Sequence, residues 1–454
     1  MTTVPDADAL AAAELAEHTS RSWRSQREHV ATHSAFYQQL WDGRRPPSDL
    51  RDLPELPLSD KSQLRESQAN HPPFGDYLAA PPNVINRMHR TSGTTGQAMN
   101  LALSARDATI MAEVGGRCHR AAGLTAAHTV VHCLNYRMWM GGITDHMTLE
   151  ATGATVVPFG VGGSELLVRT IQEVGITAIS CTPSYPAVLE DTVRGHFPGL
   201  DPRDLGLKLG LFGGEPGVDD PAFRARMSAT WGMQARNANY GVSDVFSNFG
   251  AECEFETSLH FMAADVLHAE LVDPDSGEPI AVADGRRGEL VLTHLARDCQ
   301  PLVRFRTGDI IEIREAAGRC RCGRTGFRFA VIGRSDDMVI VRGINLFPTM
   351  VAAVVNEFSE LSGHYVIRLD HPPPYDRLPI TVERAVAVGA DPVDDEPVDD
   401  DPADRELAAR VASAIKDRLG ASALVTVETA GSLGRTEGKT ARVLRTYRPT
   451  RGTP

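Results

Sequence analysis

Thr91-Ser92-Gly93-Thr94-Thr95-Gly96 gathers small hydroxyl side chains around two glycines. Glycines let the backbone fold back and present consecutive N–H groups, and the hydroxyls add donors for anionic oxygens. The chemistry this suits is a phosphate cradle. It is not a Walker A loop, because no GxxxxGK[ST] string occurs, and a tight Ser/Thr/Gly turn with a purely structural role accounts for the same residues. A second set is soft: Cys253 and His260 stand seven apart and Cys320-Arg321-Cys322 forms C-x-C. Three thiols and an imidazole are the ligand types of a closed tetrahedral zinc site. The long gap between the pairs is non-standard, and thiols beside a glycine turn in CRCGRT are the alternative. Cys118, Cys133, Cys181 and Cys299 read as small buried hydrophobes.

Such groups need elements to position them. The segment from Ala11 to Trp41 reads as a helical lead-in. From Val130 to Thr182, apolar strands alternate with helices, βαβ punctuation that predicts a largely parallel sheet, and LKLGLFGGEP is a further strand ending in glycines. Between Ala269 and Ile313 the pattern changes to short strands and turns around PDSG, a hairpin signal, so a smaller strand-rich unit is expected there. A compact α+β domain begins near Gly333–Asp337. The expected fold is therefore α/β: a large N-terminal domain, 1–335, with parallel-rich sheets and a small strand-rich subdomain, then a C-terminal α+β domain, 336–454. Residues 391–406 carry nine acids and one arginine and read as a solvated, disordered loop.

The 454 residues carry 46 basic and 59 acidic side chains, a formal charge of −13, which argues against general nucleic-acid binding. Without the acidic loop the balance is closer to −5, and a local cluster of Arg and backbone N–H groups can still hold an anionic ligand. An odd seven cysteines do not form a disulfide scaffold. The first residues lack a cationic segment before an apolar one, and no apolar run reaches the roughly 18–20 residues of a spanning helix. A cytoplasmic protein with no membrane partner is expected.

Five strings in order, TSGTTG, NYGVSD at 239–244, RFRTGD at 304–309, GRSDDMVIVRG at 333–343 and SLGRTEGKTARV at 432–443, resemble the core motifs of adenylate-forming enzymes, in particular the phenylacetate–CoA ligase-like subgroup. GGITDH, CTPSYP, FGGEP, GELVLTHL and CRCGRT support the resemblance, which spans about residues 15–445. It implies activation of a carboxylate by ATP with Mg²⁺, release of pyrophosphate, and transfer of the acyl group to a thiol after rotation of the C-terminal domain. By resemblance, Ser92, Gly93, Thr94, Thr95 and Gly96 wrap the β- and γ-phosphates. Lys439 meets the attacking carboxylate and the α-phosphate, and with Thr94 and Asp244 makes up the catalytic set. Gly213, Gly214 and Glu215 face adenine, Tyr240 stacks on it, and Gly241 and Ser243 complete that motif. Asp309 accepts from the ribose hydroxyls, Arg334 contacts the ribose–phosphate region, Asp336 is the hinge, and Gly343 lines the path of the pantetheine arm. The Cys253, His260, Cys320, Cys322 set resembles a structural zinc site of some members.

There are departures. Asp244 stands where most relatives carry the Glu that places Mg²⁺, one methylene shorter, and metal geometry is sensitive on that scale. Ala98 and Gly434 replace common prolines. The acid pocket implied by the resemblance draws on Asn135, Tyr136, Trp139, Met140, His146 and Gly214, with Phe246 nearby. Its aromatic walls suit a flat ring, so a substituted benzoate or arylacrylate type of acid is expected rather than a fatty acid. The expected function is aryl-CoA ligation. The alternatives are an aryl-AMP ligase of secondary metabolism or antibiotic biosynthesis, loading a carrier-protein thiol or a nitrogen nucleophile (ATP-driven diazotisation of an aminoaryl acid included), and a degenerate ligase fold that only binds. Assembly as a homodimer is left open.

Overall fold

The computed structural model describes residues 6–7, 10–91, 98–385, 401–434 and 442–447. It divides into two units, residues 1–219 with 224–331 and residues 220–223 with 332–454. The first opens with helices α1 (Ala12–His33), α2 (Ala35–Leu40) and α3 (Lys61–Asn70). The lead-in helix α1 is tied down: Trp23 and Val30 are buried, and the Gln26 amide exchanges two 2.8 Å hydrogen bonds with the backbone of Arg297. Strands β1 (Ile85–Arg90) and β2 (Asn100–Ser104) pair antiparallel. Ser104 caps α4 (Ala105–Ala121), its hydroxyl accepting from the Asp107 N–H while the Asp107 carboxylate accepts from the Ser104 N–H, the reciprocal arrangement that stabilises a helix start.

The expected βαβ alternation follows as β3 (Thr129–His132), α5 (Met140–Glu150), β4 (Thr155–Pro158), α6 (Ser164–Val174), β5 (Ala178–Cys181), α7 (Tyr185–His196), β6 (Leu209–Gly213), α8 (Pro221–Trp231) and β7 (Gln234–Val242). The helix after β3 begins at Met140. These five strands run parallel in the order β4-β3-β5-β6-β7. Every residue of β5 and β6 is buried, as in strands covered on both faces. The chain leaves β3 toward β4 and then returns to β5 on its other side, so the crevice beyond the ends of β3 and β5 is a topological switch point.

The strand-rich part continues the same sheet. It comprises β8 (Phe246–Ala251), β9 (Leu259–Phe261), β10 (Leu267–Val272), β11 (Pro279–Ile280), β12 (Arg287–His294), β13 (Phe305–Glu315) and β14 (Arg328–Arg334). The full order is β11-β10-β12-β13-β14-β9-β8-β7-β6-β5-β3-β4. Strand β7 is the seam: parallel to β6 on one side and antiparallel to β8 on the other. Gly241 makes the seam turn feasible, because a Cβ there would lie 1.9 Å from the Ser247 carbonyl oxygen.

The second unit contains the hairpin β15 (Val339–Val341) and β16 (Ile344–Leu346), helices α9 (Pro348–Val355) and α10 (Pro402–Leu419), and strands β17 (Leu361–Leu369), β18 (Leu378–Arg384), β19 (Ala423–Glu428) and β20 (Val443–Arg445). Its four-stranded sheet has the order β19-β18-β17-β20. Val351, Val355, Tyr365, Ile380, Val411 and Ile415 belong to its own core, so each unit has the apolar interior a domain needs. Among the described residues, no helix is long and apolar enough to cross a membrane.

Candidate active site

The hydroxyl-and-glycine loop joins β1 to β2. Its base is clamped by two 3.0 Å hydrogen bonds, from the Thr91 N–H to the Met99 carbonyl and from the Met99 N–H to the Thr91 hydroxyl. Ser92, Gly93, Thr94, Thr95 and Gly96 lie outside the described residues, as do Lys439 and most of the acidic run. Of the second-unit residues singled out, Arg334 donates from Nε to Asp336 at 2.8 Å, and Gly343 has a φ of +80°.

On the seam strand, Tyr240 donates its phenolic hydrogen to Asp309 Oδ2 at 2.7 Å. Asp309 is buried on β13, and its N–H is fixed by the Thr307 hydroxyl at 3.1 Å. The Tyr240 ring meets Phe249 and Phe329 edge-on, with centroids 5.2 and 5.3 Å away. Sequence reasoning named Tyr240 and Asp309 separately; the structure brings them together.

Asp244 follows β7 and is buried. Its Oδ2 accepts from Lys61 Nζ at 2.8 Å, and its Oδ1 is buried with no hydrogen-bond partner among the described residues. An unsatisfied buried carboxylate oxygen is costly, so this oxygen suits a hard cation. Asp244 is thus compatible with Mg²⁺ despite its shorter reach, with Lys61 sharing its charge. Lys61 was not found from sequence, because its partner lies 183 residues away and a lysine opening a helix carries no chemical signature.

At the switch point, His132 ends β3. Its Nε2–H donates to the Gly141 and Gly142 carbonyls at 3.0 and 3.2 Å, and Nδ1 accepts from Ser180 at 3.1 Å. Burial lowers its pKa to about 4, so it is a neutral anchor for the start of α5. Tyr136 donates to His146 Nδ1 at 3.0 Å, and His146 Nε2 faces Glu150 at 3.2 Å. Burial raises the Tyr136 pKa, which keeps the phenol protonated. Asn135 is occupied in its own turn, accepting from the Arg137 N–H at 2.9 Å, and Trp139 precedes α5. Glu215 accepts from the Ser184 N–H at 2.8 Å and so ties the Gly213-Gly214-Glu215 loop to the start of α7. Two further residues escaped sequence reasoning: Asn239 donates to the buried Asp145 at 2.7 Å, joining α5 to the seam strand.

The soft residues also converge. The ligand atoms of Cys253, His260, Cys320 and Cys322 lie within 4.8 Å of one another. Cys253 and Cys320 sulfurs are 3.8 Å apart, and Cys322 Sγ is 3.7 Å from His260 Nε2. Zn–S bonds of about 2.3 Å in a tetrahedron give S···S edges of about 3.8 Å, so the set has the dimensions of a zinc cage. Burial raises the Cys253 pKa to about 12. Cys322 is drawn below the usual thiol value: burial opposes this, and hydrogen bonds with Arg324 outweigh it. Cys118, Cys133, Cys181 and Cys299 are buried.

Comparison with known proteins identifies the class of this chain as acyl-activating enzymes. The AMP-binding enzyme C-terminal domain matches residues 343–446. Phenylacetate-coenzyme A ligase of Thermus thermophilus is 34% identical over 420 residues, covering 90% of this chain and 91% of that protein. That of Pseudomonas putida is 31% identical over 437 residues, covering 94% and 93%. The crystal structure of 2-hydroxyisobutyryl-CoA ligase in the postadenylation state superposes with a TM-score of 0.85 at 27% identity, covering 97% of this chain and 91% of that one. The chain belongs to the phenylacetate–CoA ligase family of adenylate-forming enzymes. It is an ATP-dependent, AMP-forming acid ligase.

Proposed function

We propose that the enzyme activates a small aromatic carboxylic acid of the substituted benzoate or arylacrylate type and transfers the acyl group to coenzyme A. The observation that carries the acid class is the Tyr136 and His146 pair, with ring centroids 6.0 Å apart, edge-on and joined by a 3.0 Å hydrogen bond, in the segment after β3 that also carries Trp139. Flat π-faces and few charges favour an aryl group. Relatives named for phenylacetate support the same class and support coenzyme A as acceptor.

In this reading the first unit binds ATP and acid and the second carries Lys439. A carboxylate oxygen attacks the α-phosphorus, the bond to the β-phosphate oxygen breaks, and pyrophosphate leaves. The coenzyme A thiolate then attacks the acyl carbonyl and AMP leaves with its bonding pair. Charge builds on the α-phosphate in the first step, so donors placed beforehand lower its barrier. Lys439 supplies the cation, Ser92 to Gly96 supply N–H and hydroxyl donors, and Asp309 and Tyr240 hold the nucleoside. Asp244 would hold Mg²⁺, which when bound spreads the phosphate charge. The Cys253, His260, Cys320, Cys322 set would hold a structural zinc.

The test is pyrophosphate release with ATP, Mg²⁺ and a panel of benzoic, phenylacetic and cinnamic acids, each with and without coenzyme A. Release with an aromatic acid and formation of its thioester is the expected result. Release without thioester overturns coenzyme A in favour of a carrier thiol or a nitrogen nucleophile, and release only with aliphatic acids overturns the aryl assignment. Lys439→Ala should nearly abolish adenylate formation while ATP binding stays measurable. Metal analysis should find about one zinc per chain.

A further inference from the structure

Two features assigned above sit on opposite faces of the same strands. In β9, His260 points into the Cys/His set, while Leu259 and Phe261 alternate to the other face. Register places Phe329 opposite Leu259 and Arg328 opposite His260. It places Gly250 opposite Phe261 and Ala251 opposite His260, and Tyr240 opposite Gly250. Tyr240, Gly250 and Phe261 therefore form one row across β7, β8 and β9, and Phe329 on β14 lies on the same face one pair further along, opposite Leu259.

That row has a gap at Gly250. Strands β7 and β14 are three strand spacings apart, about 14 Å, yet the Tyr240 and Phe329 rings meet at 5.3 Å between centroids. They do so above Gly250, where a Cβ would lie 3.0 Å from Tyr240 Cδ1 and 3.2 Å from Phe329 Cζ. The Tyr240 ring is thus held by Phe329 across two intervening strands, and its hydroxyl by Asp309 at 2.7 Å. Directly behind the row, the Cys/His set joins the end of β8 (Cys253), β9 (His260) and the connection from β13 to β14 (Cys320 and Cys322).

We propose that Phe329 is a positioning residue for the Tyr240 ring, and that the Cys253–His260–Cys320–Cys322 set, loaded with zinc, is the staple that fixes it there, so that nucleotide affinity depends on a metal site on the reverse face of the sheet. The proposal rests on the nucleotide and zinc assignments above. The staple sets where β14 lies against β9 and β8; Phe329 follows β14; Tyr240 follows Phe329. No group of the staple touches nucleotide or acid.

The test uses the full-length protein and measures zinc content, ATP dissociation constant without acid, and KM for ATP and for the best acid. Phe329→Leu removes an edge-on aromatic contact and should weaken ATP binding about 3- to 10-fold, with zinc content and acid KM within twofold of wild type. Cys322→Ser should lower zinc content and weaken ATP binding by at least as much. The double variant should be no worse than Cys322→Ser alone, because both act through one ring. If Cys322→Ser does not fold, zinc removal from wild type and from Phe329→Leu by a chelator makes the same comparison. Full multiplication of the two effects, a parallel rise in acid KM, or unchanged ATP binding in zinc-loaded Phe329→Leu would each overturn the coupling. Zinc-free wild-type protein would overturn the metal assignment and the staple together, and absence of ATP binding in wild type would overturn the nucleotide assignment.

Discussion

Tyr240 and Asp309 make the site's most specific prediction at the scale of single residues. The phenol donates to a carboxylate, a charge-assisted bond that contributes more than a neutral one. It also orients an acceptor that the family reading places on the ribose hydroxyls. Tyr240→Phe keeps the ring and its edge-on neighbours and removes only the donor. KM for ATP should rise at least about tenfold, since a hydrogen bond to a charged group contributes roughly 1.5–3 kcal/mol, while KM for the acid stays within twofold. Steady-state kinetics with each substrate varied will read this, and equal rises in both constants would count against it. At this scale the sequence was informative about types and silent about pairs. TSGTTG, NYGVSD and RFRTGD single out candidate residues because each motif is a run of contiguous letters. Lys61 with Asp244, and Asn239 with Asp145, are joined only by folding across 183 and 94 positions.

Strands and helices explain why those pairs form. Alternation of period two and helix-length spacers made β3, β4 and β5 readable, and the glycine-ended β6 likewise, whereas β7 was not read as a strand. What the pattern could not reveal is that the parallel and strand-rich stretches are one sheet of twelve strands, since pairing partners are set by register and not by local periodicity. The join depends on the turn from β7 to β8. Gly241→Ala would drive a methyl group to 1.9 Å from the Ser247 carbonyl oxygen, a contact only backbone displacement can relieve. Loss of 3 kcal/mol or more is expected, by analogy with severe overpacking, read as a lowered urea midpoint. A midpoint equal to wild type would mean the turn has more room than the geometry gives it.

For the molecule as a whole, buried histidines set the acid limit. Burial lowers the pKa of His132, His89 and His268 to about 4, and of His119 and His294 to about 3. Unfolded histidine titrates near 6.5, so between about pH 6.5 and 4 the unfolded chain binds more protons than the folded one, and stability falls as pH falls. At pH 5 a residue such as His132 alone loses about 2 kcal/mol relative to pH 7. Urea midpoints should drop steeply from pH 7 to pH 5, and His132→Gln should flatten that slope by about one proton. An unchanged slope in that variant would show that His132 is not the neutral anchor assigned here.

The seam at β7 has a consequence for how such an enzyme diversifies. The residues proposed to choose the acid belong chiefly to a short insert between β3 and β4, whereas those proposed to grip the nucleoside belong to β7 and β13. Exchange of residues 134–144, which stops short of the Asp145 bond to Asn239, is expected to alter the carboxylic acid accepted while leaving the proposed nucleoside grip in place.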